Sequence, residues 1–392
     1  MQGTELAQRF DHDVIIVGAG IIGAAVAYHL AIAGLRVAVV DAIGPAAAAS
    51  GASDGAVSVA SKKPGTMARL ATASLLYSRD LAAGGPLQGA YEPRPAHIFG
   101  TGAAELAAMD ALIEKLSVLA GPVQVIGDGG PDRLPGLGPD VERLLTLEGE
   151  GHMPGHRAVR AYMGTPGITP IWPAPVLGFE SDDHGVTLRL ADRRLRTRHL
   201  VLATGVSSSK LIPGLPILPR SGQLLITDRG PEGELSGALT AAAYLVAKTA
   251  SAASTPGSPV VLDPLATGQY LIGSSREDHG DASHVDFATL RRILTRAVGV
   301  WPALRNRRVI RAFAGVRAAV PDGLPIVGPL ADAPRVFVAT GFEGDGICLS
   351  ALIGREVALM VRGIAPDAAL ASDLGSLSPS RFAPALRIEG AA

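Results

Sequence analysis

The tightest constraint on this chain is a glycine triplet set between an apolar strand and an apolar helix. DVIIV (13–17) reads as a buried strand, IIGAAVAYHLAIAG (21–34) as an alanine-rich helix and LRVAVVD (35–41) as a second strand. Gly18, Gly20 and Gly23 stand between them in the spacing GxGxxG. This order is a βαβ unit, and its crossover is right-handed because only that hand packs the helix back onto twisted strands. The first glycine permits the tight turn, the second lets backbone approach a pyrophosphate, and the third lets helix and strand pack closely. The helix N-terminus, where Ile22 sits, adds N–H donors and the positive end of a dipole. Asp41 ends the second strand 18 residues beyond Gly23, where a carboxylate can hold ribose hydroxyls. A dinucleotide site is the expectation.

The motif suits NAD and FAD equally, so the choice rests on what lies downstream. Ser50, Gly51, Ala52 and Ser53 follow the second strand, where small residues and hydroxyls can wrap an extended dinucleotide. Far along the chain, Gly341, Gly344 and Gly346 open another helix, with Asp345 and Ile347 in the same turn. Reduced flavin carries negative charge near N1 and O2, which a helix N-terminus stabilises. A cofactor with one pole at each end of the chain points to FAD rather than NAD.

Composition excludes several partners. Lys+Arg 35 against Asp+Glu 36 leaves a formal charge of -1, which offers no electrostatic reason to expect nucleic acid or an anionic membrane. Cys348 is the sole cysteine, so the chain has no internal disulfide and no cysteine-rich iron–sulfur or metal site of its own. A reducing, cytoplasmic setting follows. Residues 1–12 lack the apolar stretch of a secretory signal, and the apolar run from Val14 to Val40 is broken by its glycines, His29 and Arg36. His152 and His156 have the spacing of two ligands on a helix face, but Pro154 and Gly155 intervene, and no metal is expected.

Elsewhere the pattern predicts a helix from Met67 to Leu81, a strand, amphipathic helix and strand over 96–126, and a loop over the Gly, Pro and Asp-rich residues 127–140. Pro154 starts a short helix over 155–163. Residues 186–205 alternate and then turn apolar, as a surface hairpin feeding a strand of the central sheet. Residues 249–259 read as a surface excursion, 286–299 as a helix and 335–360 as strand, glycine turn and helix; the tail from Ala365 has no strong pattern.

VIIVGAGIIG, ASGASDGAVS, GEGHMPGHRAVRA, HLVLATG, SGQLLIT, LIGSSRED, FAGVRAAVPDGLPIVGP and ATGFEGDGICL occur in that order. Together, over about 13–360, they resemble the D-amino-acid oxidase superfamily, which includes glycine and sarcosine oxidases, D-hydroxyproline and opine dehydrogenases, and hydrogen cyanide synthase. GASDGAVSVASKKPG, YLVAK, GSSRED and GFEGDGI look closest to the opine, hydroxyproline and cyanide-synthase branch. The resemblance implies an α/β (α+β overall) fold: a Rossmann-like FAD-binding domain (8–85, 150–215 and 310–370) interleaved with a substrate domain (86–149 and 216–309) on a large, mostly antiparallel sheet, then a tail (371–392). It also implies adenine contact by the strand at Val176, a cofactor contact at Gly205 in the ATG segment, and a substrate-carboxylate grip by Arg317. An arginine fork suits that grip, since two parallel charge-assisted bonds fix a carboxylate's orientation. The alternative for Arg317 is a surface arginine beside the Pro321-Asp322-Gly323 turn. Tyr244 and Lys248 stand where relatives place pocket residues, and Tyr244 suits core and ligand equally.

Three departures from the family stand out. Gly344 replaces the second arginine of glycine oxidases, Ala314 replaces the flavin-linking cysteine of sarcosine oxidases, and Asp41-Ala42 replaces the usual Glu-Arg. Non-covalent FAD follows, with Cys348 a packed small residue. The implied reaction oxidises the C–N bond of a small amino acid or derivative (D-amino acid, glycine, hydroxyproline or opine type) by hydride transfer to flavin N5, leaving an imine that water hydrolyses. The branch also implies partner subunits carrying further redox centres, and through them association with the inner face of the membrane. Arg305, Arg307, Arg308 and Arg311, as a solvated face or subunit contact, and the loop 249–259 are the candidate interfaces. A flavin-bearing structural or electron-transfer subunit and an NAD-dependent dehydrogenase stay open as alternatives.

Overall fold

A computed structural model describes residues 10–230, 235–244 and 260–385. Its first sheet runs in the order β10 (Val176–Ser181), β11 (Val186–Leu190), β12 (Arg194–Leu202), β1 (His12–Val17), β2 (Val37–Val40) and β9 (Ile168–Ile171). β19 (Ala333–Thr340) pairs with the far end of β12, and β18 (Ile326–Leu330) pairs with β19. β9, β2, β1, β12 and β19 are mutually parallel, as buried crossover strands require. Strand β1 is apolar on both faces for a visible reason. Val14 and Ile16 pack with the helices, while Ile15 and Val17 pack against the β10–β12 hairpins.

The helical layer holds α1 (Ile21–Ile32), α2 (Thr66–Gly84), α4 (Gly155–Met163) and α7 (Gly346–Val361), with α3 (Ala103–Leu119), α5 (Ser208–Leu211), α6 (Phe287–Val300) and α8 (Ala371–Gly375) elsewhere. α1 and α7 touch almost backbone to backbone. A β-carbon on Gly354 would lie 2.6 Å from that of Ala25, so the alanine-rich face of α1 exists to admit α7.

The second sheet has the order β17 (Val309–Ala319), β13 (Leu218–Thr227), β16 (Tyr270–Gly273), β15 (Val261–Pro264), β14 (Ala238–Ala241), β5 (Ala96–Gly100), β7 (Arg143–Glu148) and β6 (Gln124–Gly129). All its neighbours are antiparallel except β14 and β5. Alternation divides its two faces. Leu225, Leu239, Leu262 and Ile272 pack beneath α6, while Leu224, Thr240, Val261, Asp263 and Leu271 face a cleft on the other side. Asp286 caps α6 by accepting the N–H of Thr289 at 2.7 Å. A small sheet of β3 (Ala56–Val57), β8 (Gly151–His152) and β4 (Glu92–Pro93) ties the two parts together.

Two expectations need correction. Residues 127–140 are not all loop, because β6 runs on through Gly127–Gly129; a register shift after Val125 lets these glycines stay paired with β7. The tail is patterned as well. α8 docks through buried Asp373, which takes the Arg69 guanidinium at 2.6 Å and the Thr66 hydroxyl at 2.8 Å. The predicted helices over 67–81, 155–163 and 286–299 and the 186–205 hairpin are present.

Candidate active site

A cleft runs between the two sheets, and its first wall is made largely of backbone. Gly18 has φ +111, and a β-carbon there would collide with the Ala203 carbonyl, so only glycine fits the turn. A β-carbon on Gly20 would meet Ser50 Oγ at 3.2 Å. Gly23 packs against the Gly18 carbonyl and Gly51 against that of Ala46. Neither lines the cleft, so both shape the loop without facing a ligand. Ser50 Oγ accepts the N–H of Ile21 at 3.0 Å, while the N–H of Ile22 has no acceptor among the described residues. Asp41 receives the N–H groups of Ala19, Ile43 and Gly44 at 2.8–2.9 Å, which fixes its carboxylate at the end of β2. Ala52, Ser53, Val176 and Gly205 line the same cleft.

At the cleft's other pole, α7 begins at Gly346, and the N–H groups of Gly346 and Ile347 have no described protein acceptor. Two helix N-termini with spare donors at opposite ends of one cleft fit a dinucleotide carrying a pyrophosphate and an electron-rich ring. Asp345, just before α7, is buried and pairs with buried Lys62 at 3.0 Å. Burial opposes the lysine's charge, but Asp345, Cys348 and Glu150 around it hold its pKa above the ordinary lysine value. Glu150 is also buried, which pushes its pKa up, and its Oε1 accepts the N–H groups of Val59 and Ala60.

The second wall is built from side chains. Arg317 projects from β17 across Gly222 of β13, where a β-carbon would lie 2.5 Å from its Nη1. Its Nη1 donates to the Ser221 carbonyl at 3.3 Å and its Nη2 to Ser274 Oγ at 3.0 Å. No carboxylate of the described residues pairs with it. Gly344, at φ +88, lies on its other side. Tyr244 lines the cleft too, whereas Lys248 and the 249–259 loop fall outside the described residues.

Along the sheet, Arg94 pairs with buried Asp263, whose Oδ2 lies 3.4 Å from His152 Nε2. His152 is held neutral, its pKa lowered to about 4 by burial and by Arg94, and its Nε2 lies 3.0 Å from the Asp54 carbonyl. Sequence reading missed Lys62, Glu150, Arg94, Asp263 and also Glu343, whose carboxylate takes the Arg220 and Arg276 guanidiniums. Only the charges inside SKKPG, GSSRED and GFEGD signal some of them, and no spacing rule joins those segments.

The chain is 29% identical over 170 residues to the bifunctional protein ThiO/ThiG of a Nostoc species, covering 43% of this chain and 23% of that protein. It is 28% identical over 215 residues to hydrogen cyanide synthase subunit HcnC of Pseudomonas aeruginosa, covering 53% of this chain and 44% of HcnC. The matches thus span less than half the length of these two relatives. The structure of glycine oxidase from Geobacillus kaustophilus has the same fold, with a TM-score of 0.83 at 23% identity over 94% of this chain and 98% of that one. The family model described as FAD dependent oxidoreductase matches residues 13–360, and the chain belongs to that family, DAO.

Proposed function

We propose that this chain oxidises the C–N bond of a small amino acid or amino-acid derivative, with Arg317 as the carboxylate anchor. The observation that carries this reading is a half-buried guanidinium, fixed by two neutral partners, that lines the cofactor cleft without a carboxylate of its own. Bound FAD supplies the two-electron acceptor for a hydride from the substrate's α-carbon. The protein's part is orientation. Arg317 fixes the carboxylate, Gly222 and Gly344 leave room beside it, and the start of α7 offers N–H donors to the cofactor. The first wall, with Gly18, Gly20, Ile22, Asp41, Ser50, Ala52, Ser53, Val176 and Gly205, holds FAD in this reading, while Gly23 and Gly51 support it. The second sheet forms the substrate domain in this reading, joined at its edge by β17 from the 310–370 segment assigned to the FAD-binding domain, and Tyr244 borders the substrate.

The relative HcnC is a subunit of hydrogen cyanide synthase, which favours a chain that passes its electrons to a partner. A cytoplasmic chain whose partners carry further redox centres is the corresponding proposal; among the described residues no helix is long and apolar enough to cross a membrane. Anaerobic mixing of the FAD-loaded chain with a panel of amino acids, N-alkyl glycines, hydroxyproline and opines tests the activity. Bleaching of the flavin band by at least one supports it, and none across the panel refutes it. Mixing the reduced chain with air-saturated buffer then tests the acceptor. Slow reoxidation fits a partner-linked dehydrogenase, and fast stoichiometric peroxide makes it an oxidase.

A further inference from the structure

Arg317 and Glu343 line the cleft, and next to them, outside its lining, stand two more guanidiniums. Arg220 on β13 is the register partner of Arg317 on β17, and Arg276 lies three residues beyond the end of β16. Both converge on Glu343, with Arg220 Nη1 and Arg276 Nη2 donating to the same oxygen, Oε1. Glu343 lines the cleft, and its Oε2 accepts no hydrogen bond from the described residues. Its backbone is held as well. φ is +43, in the left-handed region where non-glycine residues are uncommon, and its N–H donates to the Ala318 carbonyl at 2.9 Å, next to Arg317. The following residue, Gly344, is in van der Waals reach of the Arg317 side chain. An acid fixed from three sides therefore stands beside the substrate-carboxylate anchor.

The charges are unequal. Arg220 has a second acid, Asp278, at 3.0 Å from its Nε. Arg276 has Glu343 alone, and its Nε is buried without a partner. Burial lowers the pKa of Arg276, and nearby Arg220 and Arg317 push the same way while Glu343 opposes them. Without the Glu343 charge, Arg276 becomes a partly buried, unpaired guanidinium next to Arg317. That is the chemistry of a second carboxylate site.

We propose that Glu343 is a built-in carboxylate occupying an anion subsite formed by Arg276 and Arg220, and that it thereby restricts the cleft to substrates with a single carboxylate near the reacting carbon. The inference rests on the Arg317 reading above. Glu343 is thus a specificity determinant, and the class it excludes is the dicarboxylic secondary amines.

Calorimetric titration of the FAD-loaded protein with propionate and with succinate tests it without turnover. In the wild type propionate should bind the more tightly. Glu343→Gln should raise succinate affinity relative to propionate by about tenfold or more, and adding Arg276→Met should remove that gain. A succinate-to-propionate ratio unchanged in a flavin-retaining Glu343→Gln protein overturns the proposal, as does a gain that survives Arg276→Met. If Glu343→Gln does not keep its flavin, Arg276→Met alone decides. It leaves Arg220 as the one guanidinium holding Glu343, which can then compete for Arg317, so propionate binding should weaken about fivefold or more, and unchanged binding overturns the subsite. Sarcosine and iminodiacetate as flavin reductants separate the two readings. A ligand shift in a protein whose flavin no member of the amine panel reduces keeps the subsite and refutes amine oxidation. Reduction by sarcosine with no ligand shift keeps amine oxidation and overturns the subsite.

Discussion

The two walls of the cleft are made of different material. The β1–α1 wall is glycine backbone and helix-end N–H groups, with Asp41 locked by three amides. The opposite wall is a sheet face lined by side chains, among them Arg317, with Tyr244 and Glu343 beside it, and in the proposed reading these side chains serve the substrate. A backbone-built site tolerates no added atoms, whereas a side-chain-built site tolerates substitution at a graded cost. Changes in the first wall should act on cofactor retention, and changes in the second on substrate.

The sharpest way to break this contrast is Gly20→Val. A branched side chain directed at Ser50 Oγ fills the space that a pyrophosphate needs, and the purified protein should carry essentially no flavin while keeping its circular dichroism. Normal flavin content, read as visible absorbance against protein absorbance, would show that this wall is not the pyrophosphate site. A smaller but still large effect is expected at the α7 pole. Lys62→Met strands the buried Asp345 carboxylate, which should cost about 3–5 kcal/mol in urea unfolding. Lys62→Met with Asp345→Asn should recover most of it. A single variant as stable as wild type would mean that the pair does not hold this end of the cleft.

How much was readable beforehand follows the same division. The first wall was legible because GxGxxG, Asp41 and the Ser50–Ser53 segment lie within 36 residues, and each glycine answers a local steric demand. The start of α7 was legible for the same reason. On the second wall, Arg317 came only from the family resemblance. Its position depends on Gly222, brought opposite Gly315 by the β13–β17 register, and no local pattern reports that pairing. Glu343, Arg276 and Arg220 come from three separate segments. In β6 the glycines suggested a loop, yet pairing with β7 overrode their low strand preference.

Arg317→Ala probes the second wall directly. Losing a desolvated charge pair should weaken substrate binding by about 2–5 kcal/mol, with flavin content unchanged. Arg317→Lys should restore only part, since a lysine cannot reach Ser274 and a carboxylate as a planar fork does. Wild-type kinetics in the alanine variant would return Arg317 to a structural role. Loss of flavin as well as substrate would show that the two walls do not act separately.

The smallest effect concerns pH and sharpens the comparison from the far side of the first wall. His29 of α1 is buried beside Tyr28 and Tyr77, and burial, with Arg355 nearby, lowers its pKa from 6.5 to about 3. The folded pKa lies below the unfolded one, so its contribution is present above pH 6.5 and is lost as pH falls toward 3. Each such group steepens acid destabilisation by at most about 1.4 kcal/mol per pH unit in that window. His152 acts in the same direction down to about pH 4. Asp263 opposes both. Burial, against the pull of Arg94, raises its pKa to about 7, so its contribution is present below pH 4 and lost as pH rises to 7. The wild-type curve therefore mixes the two walls, and His29→Phe separates them. Phenylalanine keeps the aromatic packing and removes Nε2, which is buried without a partner. Urea unfolding at pH 7.5, 6, 5 and 4 should show near-wild-type stability at the first pH and a shallower loss below it, the gap widening by up to about 1.4 kcal/mol per unit. Parallel curves for the two proteins would mean that His29 is protonated in the fold, and that the helix behind the glycine wall is wetter than its packing implies.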